Sequence, residues 1–403
     1  MAETIIRRND PARPRADAPG KPRVMRDEAM SESTDGTRLF VPGRLCLFGE
    51  HSDWAAQYGL HRGFCLVIGT DQGLSAVARP ADSFVVESQL PNKLGRPSRR
   101  RRQMSCPWRP ETLLEAARDE KEFFRYCAGV AYEMSNRAGV AGGIHLSITA
   151  MDLPLQKGVS SSAAVCILMA KAFDEVYGLG MFPHELMEVA YLGERLTGSQ
   201  CGRMDQACIY GKTPVLLTFQ KSAEIRVEPV FAGGEIHMFF VDLAGKKNTV
   251  KILSDLQSGY LSSRDLQSGL GPSNEAIIRE AYRALAAGDA EWLGRLMARA
   301  QENFDRLIAP GSPDELASPI LHEVLDMEAV AEHIHGGKGV GSQGDGTAQF
   351  VARGAADRDE AMRKITEARP EMQCFPLTII GGRLPGRPIA TASDAPEEAG
   401  GDD

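Results

Sequence analysis

The sequence predicts an α+β protein of two domains, and three observations lead to this fold class. The chain has 403 residues, which is more than one compact core usually holds. Its first half mixes strand-like and helical segments without the regular alternation of a doubly wound sheet. Its second half combines amphipathic helices with a few strand-like segments. With 43% apolar and 25% charged residues, the composition is that of an ordinary globular protein.

The two ends of the chain are expected to lie outside this folded body. Residues 1–36 contain no aromatic residue but many Arg, Asp, Glu and Pro, so they bury too little apolar surface to offset the entropy of ordering. The tail has the same character. The predicted order is therefore a disordered arm over 1–36, an N-terminal domain over 37–225, a C-terminal domain over 226–383 and a disordered tail over 384–403.

The N-terminal domain should open with strands. The segments RLFVPGRLCLF, GFCLVIG, LSAVARP and SFVVESQ are each bounded by Gly, Pro or Asp, as strands usually are. A helix is predicted over TLLEAARDEKEFFRYCAGVAYEMS, followed by the strand IHLSITAMDLP. The apolar run VCILMAKAF and the segment HELMEVAYLGERLTG then predict two further helices.

The strand pair PVLLTF and IHMFFVDLAG marks the change to the second half. The segment NEAIIREAYRALAAGDAEWLGRLMARAQENFDRLI predicts two amphipathic helices around a turn at Gly288 and Asp289. A helix over ILHEVLDMEAVAEHIHG, a glycine-rich loop, the strand TAQFVAR, a last helix and the strand CFPLTII complete the chain.

Charge and cysteine content exclude several classes of function. The net charge of −8 gives no general attraction to nucleic acid or anionic lipid, and the basic run at Arg99–Arg102 is interpreted as a solvated insertion. No apolar run reaches the ~18 residues of a membrane span, and no signal peptide is evident. The eight cysteines form no CxxC pair and predict reduced thiols rather than disulfides or a zinc site. We therefore expect a cytoplasmic protein with small-molecule partners.

A glycine and three serines stand in front of the first apolar helix, in QKGVSSSAAVCILMAKAF. A helix N-terminus stabilises an anion through unpaired N–H groups and the positive end of its dipole. Serine hydroxyls can also donate to a phosphate or give one oxygen to Mg²⁺. Taken alone, the same residues could equally be a serine cap on a buried helix.

A second glycine-rich segment, GGKGVGSQGDGTAQF, contains Gly339, Gly341 and Gly344 in a GxGxxG pattern. A dinucleotide site needs a strand before and a helix after these glycines. Here a helix is predicted before and a strand after, so a Rossmann site is excluded. The glycines still indicate that the backbone runs close to a ligand or to a neighbouring element.

Charged residues cluster in VPGRLCLFGEHSDWAAQYG, where Arg44, Glu50, His51 and Asp53 lie at the end of a predicted strand. Such groups can hold a polyhydroxylated ligand, because carboxylates accept from hydroxyls and histidine can donate or accept. A surface turn with incidental charges is the alternative.

Two further carboxylates, Glu194 and Asp205, lie in GERLTGSQCGRMDQ. Kinase chemistry uses one carboxylate to hold Mg²⁺ and another to orient or deprotonate the hydroxyl nucleophile. Exposed carboxylates on a helix surface are the alternative for either residue.

Together, the motifs PGRLCLFGEHSD, PLQKGVSSSAA and GGKGVGSQGDGTAQF resemble those of the GHMP kinase superfamily, with galactokinase-like sugar kinases closest in motif. The resemblance covers residues 38–380. It implies a mixed α/β ATP-binding domain, a ferredoxin-like α+β C-terminal domain, and ATP with Mg²⁺ as cofactors. The family's P-x-x-x-G-L-G-S-S-A pattern is met at Pro154, Gly158, Ser161, Ser162 and Ala163, with Val159 and Ser160 as departures.

The resemblance also implies a role for each motif residue. Asp205 matches the catalytic aspartate of galactokinase-like members, and Arg44 matches the basic residue beside it. Ser161 and Glu194 would hold Mg²⁺, and Glu50, His51 and Asp53 would bind substrate hydroxyls. The implied ATP-binding residues are Gly158, Val159, Ser160, Ser161, Ser162, Ala163, Gly339 and Gly341.

The acceptor is predicted from two of these motifs. GEHSDW and CGRMDQ look like the GEHTDY and CGIMDQ of galactokinases, which favours a sugar or sugar acid. The Glu194–Asp205 spacing and the residues Gln57, Tyr58 and Gly59 also suit mevalonate-type members. A catalytically silent sugar sensor on the same fold is a further alternative, although a sensor need not retain both carboxylates. We expect a monomer or homodimer.

Overall fold

Strands of the first half form one large sheet. The computed structural model describes residues 36–59, 62–88, 102–153, 160–220 and 225–382. Within these ranges seven strands run in the order β4-β3-β5-β2-β6-β7, with β1 paired to β2. All pairs are antiparallel except β3 with β5. The strands are β1 Thr37–Phe48, β2 Arg62–Ala81, β3 Ser83–Ser88, β4 Arg102–Pro107, β5 Gly143–Met151, β6 Val215–Gln220 and β7 Ile225–Pro229.

Strand β2 is a single 20-residue strand where the sequence predicts two. Its central glycines allow close approach of neighbouring backbone: Gly69 donates its N–H to the carbonyl of Gly211 at 2.7 Å, and Gly73 lies against the Phe40 ring. Because β1 pairs with β2 on both sides of this segment, the strand continues through residues that favour a turn on composition alone.

Helices of the first half pack against this sheet. They are α1 Ser52–Ala55, α2 Pro110–Arg118, α3 Arg125–Ser135, α4 Ser161–Tyr177 and α5 Pro183–Leu196. The predictions of α4 and α5 are confirmed. The single helix predicted before β5 is wrong: it is broken after α2, where Asp119 adopts an extended conformation and its side chain accepts a hydrogen bond from the Lys121 N–H at 2.9 Å, a local bond that competes with the helix.

The second half has a four-stranded antiparallel sheet in the order β11-β8-β10-β9, counting only described residues. In chain order this arrangement is 4-1-3-2, the ferredoxin-like topology that the resemblance implies. The strands are β8 Ile236–Asp242, β9 Ile334–Gly339, β10 Thr347–Ala352 and β11 Gln373–Ile379. The helices are α6 Thr249–Tyr260, α7 Arg264–Leu270, α8 Pro272–Ala287, α9 Ala290–Leu307, α10 Pro313–Leu316, α11 Pro319–Leu325, α12 Glu328–Ala331 and α13 Ala355–Ala368.

The helical hairpin α8–α9 confirms the predicted turn. Gly288 adopts a left-handed conformation with φ of 70°, and Asp289 caps α9 by accepting from the N–H of Trp292 at 2.8 Å. These are the residue types that end and begin helices.

The glycine-rich segment differs from its prediction. The predicted helix before it consists of α11 and α12, and the first glycines belong to strand β9. Gly336, at φ 155°, packs against the backbone of Gly294 in α9. A side chain on either glycine would collide with the other element, so these residues permit a close helix–strand contact and do not continue the helix.

Several predictions fall on residues that the structure does not describe. These are the arm over 1–36, apart from Gly36, the tail over 384–403 and the basic residues before Arg102, which begins β4. The division of the chain at residue 225 stays a prediction. The cysteines carry free thiols. In the described ranges, every helix is too short or too polar to cross a membrane.

Candidate active site

Arg44 and Asp205 form an ion pair across 161 residues of sequence. Arg44 lies on β1 and is buried, while the Asp205 side chain keeps 25% of its surface exposed at the start of a short 3₁₀ helix. Burial alone would lower the pKa of Arg44, but the Asp205 carboxylate raises it above its ordinary value. The site therefore holds a permanent positive charge beside an accessible carboxylate.

Asp53 belongs to the same cluster. Its carboxylate is buried and accepts from the backbone N–H groups of Trp54 and Met204. Burial, and after it the negative charge of Asp205, raise the pKa of Asp53 to about 6. A Cβ on Gly202 would collide with the Asp53 carboxylate, so this glycine lets the loop before Asp205 close over Asp53.

His51 is a buried, neutral imidazole in an unusual backbone conformation. Its φ of 68° is left-handed, and its Nδ1 accepts from the indole Nε1 of Trp54 at 3.0 Å. Burial lowers the pKa of His51 to about 4, with the positive charges of Lys247 and Lys338 acting in the same direction and the Ser342 backbone opposing them. In the neutral ring the proton is on Nε2, because Nδ1 is an acceptor.

Glu50 has a partner that sequence reasoning missed. The Nζ of Lys338, on β9, donates to Glu50 Oε1 and to the carbonyl of Gly339, the latter at 2.7 Å. Both side chains are buried, with Lys338 only 1% exposed. In the sequence, Lys338 is only a lone lysine inside a glycine-rich segment. Nothing in that segment indicates that its partner lies 288 residues away.

Glu194, near the end of α5, is a buried carboxylate surrounded by donors. Gln206 Nε2 donates to it at 3.1 Å and Ser199 Oγ at 3.4 Å, and the Ser162 hydroxyl also bonds to it. Burial and the nearby Asp205 charge outweigh these bonds and raise the pKa of Glu194 to about 7. Ser162, the neighbour of the predicted Ser161, is thus the α4 hydroxyl seen to bond to Glu194.

The serines lie at the N-terminus of α4, as predicted. Ser160 is its N-cap residue with a left-handed φ of 57°, and the Ser160 Oγ is buried without a partner in the described part of the chain. Ala163 is fully buried in the helix core face. Gly158 and Val159 lie outside the described residues. An unsatisfied hydroxyl at a helix N-terminus is suited to an anionic ligand.

Gly339 and Gly341 shape the turn between β9 and β10. The Gly339 N–H donates to Gln301 Oε1 of α9 at 2.8 Å, and its carbonyl accepts from Gln343 Nε2 at 3.3 Å. A Cβ on Gly339 would collide with the Gln343 side chain, and Gly341 has a φ of 65°. The turn therefore depends on both glycines for its conformation.

The oxygen donors near Glu194 fit a magnesium ion bound together with a nucleotide. Mg²⁺ prefers oxygen ligands and usually takes one or two carboxylates plus substrate phosphates. Glu194 supplies a carboxylate, and Ser162 at the start of α4 supplies a hydroxyl bonded to it. Over the described residues, no cluster of three or more His, Cys, Asp or Glu could hold a metal ion by itself.

Comparisons with known proteins find similarity over the part of the chain that carries this site. Residues 125–212, from α3 to just beyond Asp205, match the family model of the GHMP kinases N terminal domain. The galactokinase of Chloroflexus aurantiacus is 25% identical, covering 79% of this chain and 84% of that protein. The galactokinase of Pasteurella multocida is 24% identical, covering 82% and 89%.

Solved structures show the same fold. The chain is similar to Lactococcus lactis galactokinase complexed with galactose, with a TM-score of 0.63 and 17% identity, covering 87% of this chain and 95% of that one. It is also similar to L. major mevalonate kinase in complex with R-mevalonate, with a TM-score of 0.65 and 18% identity, covering 88% and 99%. The chain matches the GHMP kinase N-terminal domain over part of its length and is similar to galactokinases, which confirms the predicted resemblance to the GHMP kinase superfamily. It is an ATP-dependent kinase that acts on a hydroxyl group.

Proposed function

We propose that the protein transfers the γ-phosphoryl group of ATP to a hydroxyl of a sugar or sugar acid, as a galactokinase-like sugar 1-kinase. The observation that carries this proposal is the Arg44–Asp205 pair with Asp53 beside it. The similarity to two galactokinases over most of their length supports the sugar as acceptor.

Asp205 is the proposed catalytic residue. Its partly exposed carboxylate can accept a hydrogen bond from the acceptor hydroxyl, orient the oxygen in line with the γ-phosphorus, and take the proton as the new P–O bond forms and ADP leaves. Arg44 fixes the carboxylate and offers positive charge to the moving phosphoryl group. Positioning and electrostatics supply most of the rate enhancement in this chemistry.

Three residues that follow strand β1 would bind the acceptor. The Asp53 carboxylate can accept from a sugar hydroxyl, and the neutral His51 can donate through Nε2–H. Glu50 completes the set, with one oxygen already bonded to Lys338. A mixed set of acceptors and one donor suits neighbouring hydroxyls, each of which both donates and accepts.

The nucleotide would lie with its phosphates at the N-terminus of α4. Residues 158–163, including the Ser160, Ser161 and Ser162 hydroxyls, are the proposed phosphate loop, with Gly339 and Gly341 supporting it. Glu194 with Ser161 or Ser162 would hold Mg²⁺, which neutralises phosphate charge when bound. Glu194 is then kept ionised by the cation, since burial otherwise favours its protonated form.

A coupled assay of ADP release tests the proposal over a panel of monosaccharides, uronic acids and mevalonate. We expect turnover with at least one sugar or uronic acid and none with mevalonate. Turnover with mevalonate alone would replace the sugar by an isoprenoid hydroxy acid. Tight binding of ATP and a sugar in calorimetry without any turnover would indicate a silent sensor.

A further inference from the structure

The Lys338–Glu50 ion pair joins the second half of the chain to the turn that carries His51 and Asp53. Lys338 is among the largest fully buried side chains, and Glu50 is 7% exposed. The lysine donates to Glu50 Oε1 and to the Gly339 carbonyl. These two bonds fix the direction of the ammonium group and, through it, the orientation of the Glu50 carboxylate.

A second buried bond runs alongside this pair. Gln349 on β10 is the cross-strand neighbour of Lys338 on β9, and its Nε2 donates to the Cys46 carbonyl of β1 at 2.6 Å. Two adjacent side chains of one hairpin therefore reach β1 and the turn that follows it. The hairpin itself is held by α9, since Gln301 accepts from the Gly339 N–H.

The turn needs such support because its backbone has little preference of its own. Gly49 has a φ of 100° and His51 a φ of 68°, and a non-glycine residue in the left-handed region persists only where its surroundings hold it. Glu50 lies between these two residues. A contact that fixes Glu50 thus fixes the direction in which His51 and, two residues later, Asp53 leave the turn.

The buried ion pair is not expected to add much to the free energy of unfolding. Removing a lysine and a glutamate from water costs about as much as their mutual attraction returns, and an apolar pair of similar volume is often as stable or more so. Buried ion pairs can instead specify one arrangement of the groups around them. The position of this pair, next to the proposed acceptor-binding residues, agrees with that role.

We propose that Lys338 is a positioning residue for phosphoryl transfer: it holds the turn Gly49–Asp53 so that His51 and Asp53 face the acceptor, without touching the acceptor itself. This inference rests on the proposed function for its kinetic consequence. Its structural consequence concerns Trp54, whose indole N–H donates to His51 Nδ1, and can be measured on the protein without substrates.

The test is Lys338→Met, which keeps the length of the side chain and removes its charge. We expect the KM for the acceptor to rise about tenfold or more, because displacing a binding residue by ~1 Å can have an effect at least this large. The KM for ATP should change by less than about twofold. In ¹⁵N-edited NMR spectra the Trp54 indole resonance should move, while those of Trp108 and Trp292 stay in place.

The matched control is Lys364→Met. This lysine also lies in the second half and pairs with Glu332 at 2.7 Å, but its partner is an exposed carboxylate and not a buried one. We expect it to change neither KM and to leave all three indole resonances where they are. Any loss of activity common to both variants would belong to the Lys→Met change in general and not to the position of Lys338.

Since Lys338→Met leaves a buried carboxylate unpaired, it can fail to fold, and the double variant Lys338→Met/Glu50→Gln is measured beside it. We expect the double variant to regain a thermal midpoint close to that of the wild type but not the Trp54 resonance; its acceptor KM is not compared, because Glu50 is itself a proposed acceptor-binding residue. In Lys338→Met, an unmoved Trp54 resonance or equal changes in both KM values would overturn the inference, and so would a wild-type Trp54 resonance in the double variant. A wild-type protein that phosphorylates no acceptor would overturn the proposed function, and the Trp54 resonance would still decide the role of Lys338.

Discussion

Asp53 is a carboxylate whose folded environment favours its protonated form. Its pKa of about 6 lies above its ordinary value of 3.8, so the folded protein binds more protons than the unfolded chain between these values. Asp53 therefore stabilises the folded protein at low pH, and this contribution to the free energy of unfolding is lost as the pH rises through about 6. A rise of this size corresponds to roughly 3 kcal/mol.

Asp53→Asn removes this pH dependence. We expect the difference in the free energy of unfolding, variant minus wild type, to increase by roughly 3 kcal/mol as the pH rises from about 4 to about 7. Urea unfolding of both ligand-free proteins at several pH values measures the difference. His51 titrates in both proteins, so its own contribution cancels. Parallel stability curves would contradict the assigned environment of Asp53.

Replacing Ser162 and replacing Ser161 are expected to affect Mg²⁺ binding differently. Ser162 bonds to Glu194, and Ser161 is the residue that the family motif assigns. We expect Ser162→Ala to raise the Mg²⁺ concentration for half-maximal rate about tenfold, because it removes a hydroxyl that orients a ligand. Ser161→Ala is the matched comparison in a magnesium titration of the kinase rate. If Ser161→Ala alone has this effect, the contact between Ser162 and Glu194 is not the one that matters for the metal.

For single residues, the sequence predicted which side chains lie together better than it predicted their contacts. The motifs identified Arg44, Asp205 and Asp53, which the structure brings together. They did not identify Lys338, because a lysine among glycines is usually exposed and nothing local reveals a buried glutamate elsewhere in the chain. Burial of an ion pair depends on how two distant segments pack, which is a property of the whole fold.

Helices α3 and α5 cross where two glycines meet. A Cβ on Gly193 of α5 would lie 2.6 Å from the backbone of Val130 in α3, and one on Gly129 would collide with the Gly193 carbonyl. The two backbones are therefore in direct contact. Glu194 directly follows Gly193, so the crossing also sets the position of the proposed metal ligand.

Gly193→Ala should force these helices apart. We expect the free energy of unfolding to fall by about 1–3 kcal/mol, as in other overpacked sites, and the kinase rate to fall with it because Glu194 shifts. Gly259→Ala in α6 is the control, since its Cβ would make an ordinary contact of 3.5 Å with Leu266. It should be neutral or slightly stabilising. Urea unfolding distinguishes the two, and equal effects would contradict the close crossing.

Elements with strong periodicity or clear end signals were predictable. Helix α9 follows from its apolar spacing and the Gly288–Asp289 turn, and β1 from its bounding residues. The hairpin strand β9 was not predictable, because glycines carry no periodic signal and its strand conformation comes from pairing with β10. The long strand β2 escaped prediction for a similar reason, since β1 holds its glycine-rich centre in place.

The two sheets, considered together, explain why residues from distant parts of the sequence share one site. Arg44 and the turn after β1 come from the first sheet, and Lys338 and Gln349 reach them from the second. The family motifs predicted this ferredoxin-like second half. The acceptor is not fixed by the fold, because mevalonate kinase and galactokinase structures match the chain almost equally well, and specificity depends on a few contacts in the site.

Asp205 is proposed to act on the acceptor hydroxyl, and the Asp205→Asn variant tests this role. Asparagine keeps the shape and a hydrogen bond to Arg44 but cannot take a proton. Asp289→Asn is the control, since asparagine caps a helix as well as aspartate does. The measurement is kcat for the acceptor identified in the ADP assay, with the Kd for ATP from calorimetry. We predict that kcat falls by about 10²–10⁴-fold in Asp205→Asn with the Kd for ATP unchanged, and that Asp289→Asn keeps the full rate. Full phosphoryl transfer by Asp205→Asn would contradict the catalytic role of Asp205.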